Sequence, residues 1–224
     1  MKTAGTSVEM ALEPFCAAPG HRVVEATPAI ISEYGVIGAR RGPANLDKTG
    51  WASHLSAWDT RKLAGPKVWN NYERIAVIRN PFDKAVSWFF WANRFKPVSD
   101  ADRVSAFRAF LKDKHDKGYF KSAADVDFKA CHIRGLPVIH RYLKMEELRS
   151  EVDELAAGWG MAPGAIKLPA TKTNVRAKDK LPVAAYFDQA SIDILRRGQD
   201  WIFRAGRYAH TPHVVERASA RLVA

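Results

Sequence analysis

RIAVIRNPFDKAVSWFF (74–90) carries two periodicities back to back, and the join between them decides the fold class. Residues 74–79 are a short, nearly continuous apolar run, the pattern of a buried parallel strand. Asn80 is then a good N-cap, Pro81 suits the first helical position, and Asp83 favours the positive helix end. Phe82, Val86, Phe89 and Phe90 recur at helical spacing and are expected to face a core. PVIHRYLKM (137–145) is a second strand candidate, with a helix after it in EELRSEVDELAAGW (146–159) that Gly158 or Gly160 ends. Strands alternating with helices predict an α/β layer fold with a parallel sheet. Ligands of such sheets sit at the carboxyl ends of strands, which puts Arg79 at the ligand edge. Ser87, four residues after Asp83, shares a helix face with it.

Working outward, residues 6–17 read as a helix stopped before Ala18-Pro19-Gly20. Residues 20–50 are turn-rich. A helix is expected from Ser56, because Ser56 with Asp59 three residues later resembles a capping box and Gly65 supplies a stop. Another covers about 101–113, with Val104, Phe107, Phe110 and Leu111 inward. Residues 167–182 form a basic loop, and helix resumes over 191–204 with Ile194, Leu195, Trp201 and Ile202 as its apolar stripe. The 224 residues are read as a single domain, 1–224, without internal repeats.

The composition, 47% hydrophobic and 26% charged, is that of a globular chain rather than a disordered one. No run approaches the ~18 apolar residues a membrane span needs, and no signal peptide opens the chain, so a cytoplasmic location is expected. Cys16 and Cys131 lack metal-ligand spacing and read as buried, reduced thiols. The formal charge of +11 favours an anionic partner. The absence of zinc-finger spacing, an aromatic RNA-binding signature or a basic zipper argues against nucleic acid.

KTAGTS (2–7) is a small-residue turn feeding a helix, which directs backbone N–H groups at one spot where an anion is favoured. A P-loop kinase or nucleotide hydrolase is the weaker reading. Its fingerprint needs a lysine after the last glycine and an acidic strand end for magnesium, and neither is present. KTAGTS resembles instead the 5′-phosphosulfate loop of sulfotransferases that use 3′-phosphoadenosine 5′-phosphosulfate (PAPS). IRNPFDKAVSWF (78–89) resembles that superfamily's 3′-phosphate-binding strand and helix. SHLSAWDTRKLAG, KMEELRSEV and DWIFRAGRY are similar to looser features of the carbohydrate-type and bacterial branches. The resemblance implies a P-loop-like three-layer fold with a central parallel sheet flanked by helices. It also implies transfer of a sulfuryl group from PAPS to a hydroxyl acceptor, possibly a carbohydrate, with no metal required. Lys2 would stand near the bridging oxygen, where charge develops as the S–O bond breaks, with Thr3, Gly5, Thr6 and Ser7 as the cradle. Arg79 and Ser87 would take the 3′-phosphate. Lys2 also reads as an exposed terminal lysine, Arg79 as a salt-bridge residue, Ser87 as a helix-surface serine and Asp83 as a capping residue. The other functional reading is a non-catalytic basic module of the same fold that binds an anionic glycan or nucleotide.

Transfer to a hydroxyl is helped by a base. His54 resembles the base position of some carbohydrate sulfotransferases and reads equally as a loop histidine; Glu33 is the runner-up. His132 and His140 look structural. Asn174 and Arg176, within a basic segment that is either a lid or a solvated face, are further donor-binding candidates by resemblance, although N-V-R departs from the family's pattern. Trp51 and Trp58 are candidates for the acceptor cleft, whereas Trp88 and Trp91 read as core.

In the family, the phosphosulfate loop follows a buried strand, and here Met1 stands where the loop begins. The chain is therefore expected to lack its first strand, either because the native start lies upstream or by true truncation. Weak donor binding or poor folding is expected of it, since neighbouring strand edges are left unpaired.

Overall fold

Along the chain, the helix and strand signals become eight helices and six short strands in the computed structural model, which describes residues 3–40, 49–169, 179 and 181–212. Helix α1 (Gly5–Leu12) ends in a tight turn, Glu13–Phe15, and is followed by a hairpin of β1 (Ile30–Ser32) and β2 (Gly35–Ile37). Next come α2 (Ala57–Asn71), β3 (Ile75–Ile78), α3 (Pro81–Ala92) and α4 (Arg103–Asp116). Helix α5 (Val126–Cys131) runs into a second hairpin, β4 (His132–Ile133) and β5 (Leu136–Pro137). The chain continues through β6 (Arg141–Lys144), α6 (Leu148–Gly158), α7 (Gln189–Gly198) and α8 (Asp200–Gly206). The class is mixed α/β. The expected parallel pairing is present between β3 and β6, and both hairpins are antiparallel. Residues 3–40, 49–78 and 122–169 pack as one compact unit; residues 79–121, 179 and 181–212 pack as a second.

In the first unit, β3 and β6 pair in register from Ile75 opposite Arg141 to Ile78 opposite Lys144. Leu143 of β6 is fully buried, and α6 lays Val152, Leu155 and Ala156 over it, with Ala11 of α1 and Ile166 closing the cluster. Each such large side chain contributes roughly 1.5–3 kcal/mol on burial. The run expected to be buried throughout is buried only at Ile78; Ile75, Ala76 and Val77 are half-buried, because among the described residues β3 pairs on one side only. Helix α2 starts as its sequence demands. Ser56 Oγ accepts from the Asp59 N–H at 3.1 Å and donates to Asp59 Oδ2 at 2.6 Å. Gly65 (φ 74°) stops the first segment, and Pro66 opens a second that runs on to Asn71. His140 lies just before β6 rather than inside a strand, and its Nδ1 accepts from the Arg74 N–H at 3.1 Å. Cys131 is buried and Cys16 is half-buried, and neither is in a disulfide among the described residues.

The irregular chain between α1 and β2 is organised by a buried carboxylate that sequence reading did not single out. Glu13 is 3% exposed, and Arg40 Nη1 lies 2.5 Å from its Oε2. His21 Nε2 lies 2.6 Å from Glu13 Oε1. Arg40 also donates to Val24 O, Glu25 O and Thr27 Oγ1, so one guanidinium ties residues 13, 24, 25 and 27 together. Beside it Gly38 takes φ 80°, and a Cβ there would stand 2.0 Å from the Pro28 carbonyl oxygen.

The second unit has an aromatic core. Helix α3 buries Phe82, Ala85, Val86 and Phe89, as its spacing predicts, and leaves Phe90 half-buried. Phe107 and Leu111 of α4 are fully buried, with Val104 and Phe110 packed at the margin. Phe187 meets Phe82 and Phe107 edge-on, each at 5.0 Å. Such pairs are worth roughly 0.5–1.5 kcal/mol beyond burial. Tyr186 is fully buried and donates its hydroxyl to Asp179 Oδ1 at 2.8 Å. The single helix expected over 191–204 is instead α7 and α8, broken at Gln199. Gln199 leaves helical geometry (φ −125°, ψ 22°), and its side-chain oxygen accepts from Lys84 Nζ at 2.7 Å. Helix α7 also begins earlier, with Asp188 accepting from the Ser191 N–H at 2.9 Å.

Two outcomes follow from the Glu13–Arg40 pair and from Gly38. Glu13→Ala strands a buried guanidinium and is expected to cost about 3–5 kcal/mol by denaturant unfolding. Burial pushes the Glu13 carboxyl up, but hydrogen bonds and charge from Arg40 and His21 outweigh it and hold it below its ordinary 4.5. That contribution is therefore complete above the ordinary value and is lost as pH falls through the lower, folded-state value. Acid titration of stability should show this component in the native protein and not in Glu13→Gln. Gly38→Ala, which forces a side chain against backbone at positive φ, is expected to cost about 3 kcal/mol or more in the same unfolding measurement.

Candidate functional site

The KTAGTS turn opens α1 without any of the usual side-chain closures. Ala4 takes the left-handed region (φ 62°, ψ 17°), and its carbonyl accepts from the N–H groups of Ser7 at 3.0 Å and Val8 at 3.3 Å. Ala4 supplies no capping side chain, and the first turn holds no acidic residue among the described residues. The N–H groups of Gly5 and Thr6 precede these bonds at the helix start, and the helix dipole adds partial positive charge where they point. A Cβ on Gly5 would meet nothing within 4 Å, so an anion can approach the backbone there. Ser7, Val8 and Ala11 are buried and anchor the helix; Thr3, Gly5 and Thr6 are half-buried. The structure thus gathers Thr3, Gly5, Thr6 and Ser7 into one turn. Lys2, Asn174 and Arg176 lie outside the described residues.

In the second unit, Arg79 directly follows the last residue of β3 and folds back on the first turn of α3. Its Nε donates to Asp83 Oδ2 at 2.6 Å, and Nη2 pairs with the same oxygen. Asn80 Oδ1 accepts from the Phe82 N–H at 3.0 Å, the cap its sequence predicts. Asp83 therefore orients the guanidinium along one edge, and a guanidinium offers five N–H donors in a fixed fork. Ser87, half-buried, lies four residues beyond Asp83 on α3.

The base candidates sit on separate turns of the first unit. His54 is exposed at positive φ (63°) ahead of α2, and Glu33 is exposed in the β1–β2 turn. Burial, and then the nearby Cys131, push the Tyr142 phenol up to about 12, so it is protonated at neutral pH and is no base. Trp88 packs with Phe110 at 5.2 Å and Tyr119 at 5.9 Å, and the Arg94 guanidinium lies over Trp91; both indoles are half-buried rather than core. Among the described residues no group of three His, Cys, Asp or Glu could hold a metal ion.

Trp58 does line a cleft, and most of its neighbours there escaped sequence reading. Helix α2 packs against α5 and β4, and its first turns place Trp58, Arg61 and Lys62 on one face. The β4–β5 hairpin closes through Arg134 and Gly135, both at positive φ (51° and 80°), the geometry of a tight two-residue hairpin turn. That turn carries the Arg134 guanidinium to 6.0 Å from the Trp58 ring. A cleft of about 330 Å³ lies among Ser56, Trp58, Lys129, His132, Ile133 and Arg134. A second, of about 580 Å³, shares Trp58, Ile133 and Arg134 and extends to Arg61, Lys62 and Gly65. His132, read from sequence as structural, stacks on Phe128 with ring centroids 4.0 Å apart, Nδ1 3.0 Å from the Phe128 carbonyl, and it also lines this cleft. The signal that could have found the site is HIRGLP (132–137), an Arg-Gly turn between two apolar pairs.

Comparison with family models, with curated proteins and with solved structures returns no match for the chain.

Proposed function

We propose that the protein is a sulfotransferase of P-loop-like, three-layer architecture, which uses PAPS and a hydroxyl acceptor. One observation carries the reading: the stretch that resembles the phosphosulfate loop is an uncapped, carboxylate-free helix opening with clear space over Gly5. This fits an anionic donor, since backbone donors aimed at one point favour negative charge without reorganising. The donor supplies an activated sulfuryl group to the acceptor hydroxyl. The Gly5 and Thr6 N–H groups and Lys2 stabilise negative charge on the departing phosphate oxygen, within the turn that Thr3 and Ser7 complete. Arg79, oriented by Asp83, and Ser87 bind the 3′-phosphate, which separates this donor from ordinary adenine nucleotides. His54 or Glu33 takes the acceptor's proton as the new O–S bond forms.

Gly5→Ala tests the cradle cleanly, because the added methyl meets no protein atom. Its melting temperature is expected to equal or exceed that of the native protein, while affinity for adenosine 3′,5′-bisphosphate in calorimetry falls by about tenfold or more, the loss of one charge-assisted contact. In a radiolabelled sulfate-transfer assay over sugars, lipids and phenols, Lys2→Ala and Arg79→Ala are expected to lower turnover by about 100-fold. Native protein that neither binds the bisphosphate nor transfers sulfate contradicts the proposal.

A further inference from the structure

We propose that the groove formed by the two clefts beside Trp58 binds an acidic oligosaccharide, a chain of sugar rings bearing sulfate or carboxylate groups. This goes beyond sulfuryl transfer, since it requires neither donor nor turnover, and it uses none of the donor-binding residues.

The charge comes first. Among the described residues, Arg61, Lys62, Lys129 and Arg134 line the groove, and no carboxylate does. None of the four forms an ion pair with a carboxylate among the described residues, whereas Arg79, Arg103, Lys112, Lys117, Arg141 and Arg204 each pair with one. Four cations around one concave surface repel one another, and an anionic ligand relieves that repulsion. The indole comes second. Trp58 is 42% exposed at the point the two clefts share, with Lys62 Nζ 5.4 Å and Arg134 Cζ 6.0 Å from its ring. An exposed, rigid apolar ring flanked by cations matches a pyranose ring, whose C–H face is apolar and whose substituents are charged. Shape comes third. Both lobes have the volume of ordinary ligand clefts, and they border the same three residues, Trp58, Ile133 and Arg134, which suits a chain of two or more rings. Single-stranded nucleic acid is less well matched, because successive bases need successive exposed aromatic platforms, and of the rings that line the groove among the described residues Trp58 is exposed whereas His132 is half-buried and already stacked on Phe128.

The test is calorimetry with a heparin-derived hexasaccharide, neutral maltohexaose and the oligonucleotide dT10, at about 50 mM salt, where screening is weak. Native protein is expected to bind the sulfated hexasaccharide with an affinity that falls as salt rises, and to bind maltohexaose at least about 100-fold more weakly. Arg134→Asn removes the cation with a residue that tolerates positive φ, and Trp58→Ala removes the platform. Each is expected to weaken hexasaccharide binding by about tenfold. Lys96→Ala, which removes the same charge from an exposed site in the other unit, should stay within about twofold. Thermal melts check folding, and Arg61→Ala replaces Trp58→Ala if that variant is unstable. Adenosine 3′,5′-bisphosphate binding by the same variants reports donor binding separately, so each reading can fail alone. No hexasaccharide binding, equal binding by the groove variants, or dT10 binding as tightly through Trp58 and Arg134 each overturns the proposal.

Discussion

The parallel ladder between β3 and β6 is the contact on which the first unit depends. It joins residues far apart in sequence, so residues 3–40, 49–78 and 122–169 become one body while residues 79–121 depart to pack with residues 181–212. Closing so long a loop costs entropy, and four paired residues do not offset that alone. The offset comes from burial: the ladder brings Leu143 under α6, and Ala11 and Ile166 close the same cluster. The same unit contains α2, α5 and the β4–β5 hairpin, whose packing makes the cationic groove.

Local signals were legible in the sequence. Asn80 caps α3, Ser56 and Asp59 open α2, and the aromatic spacing of α3 identified Phe82, Val86 and Phe89 as core. Features with distant partners were not. Gln199 breaks the last helical stretch where its side chain meets Lys84, more than a hundred residues away, and nothing local marks that bond. Glu13 falls inside the stretch 6–17 read as helix and carries no local mark of its role; only the folded chain puts Arg40 against it. The candidate site divides the same way. The turn at Thr3–Ser7 could be read because its small residues precede a helical pattern. The groove could not, because Trp58 lies on one element and Lys129 and Arg134 on others brought up by tertiary packing.

The charge distribution gives the +11 net charge a location. Part of the cationic surface is matched locally: Lys112 with Asp116, Lys117 with Asp113 and Arg204 with Asp200 are exposed i,i+4 pairs. Glu13 and Arg40 neutralise each other inside the first unit. What is left unmatched among the described residues includes the groove cations, and the opening of α1 adds the partial charge of uncapped N–H groups. Both features favour anions, by different means: one through side chains around an indole, the other through backbone.

In the proposed function, the backbone at the start of α1 holds the phosphosulfate end of the donor. Amide chemical shifts of Gly5, Thr6 and Ser7, followed while adenosine 3′,5′-bisphosphate is titrated into isotopically labelled protein, test it most directly. The account predicts that these three amides move together and saturate with one dissociation constant, and that adenosine alone leaves them unmoved. Saturating binding of the bisphosphate that leaves all three amides unshifted contradicts it.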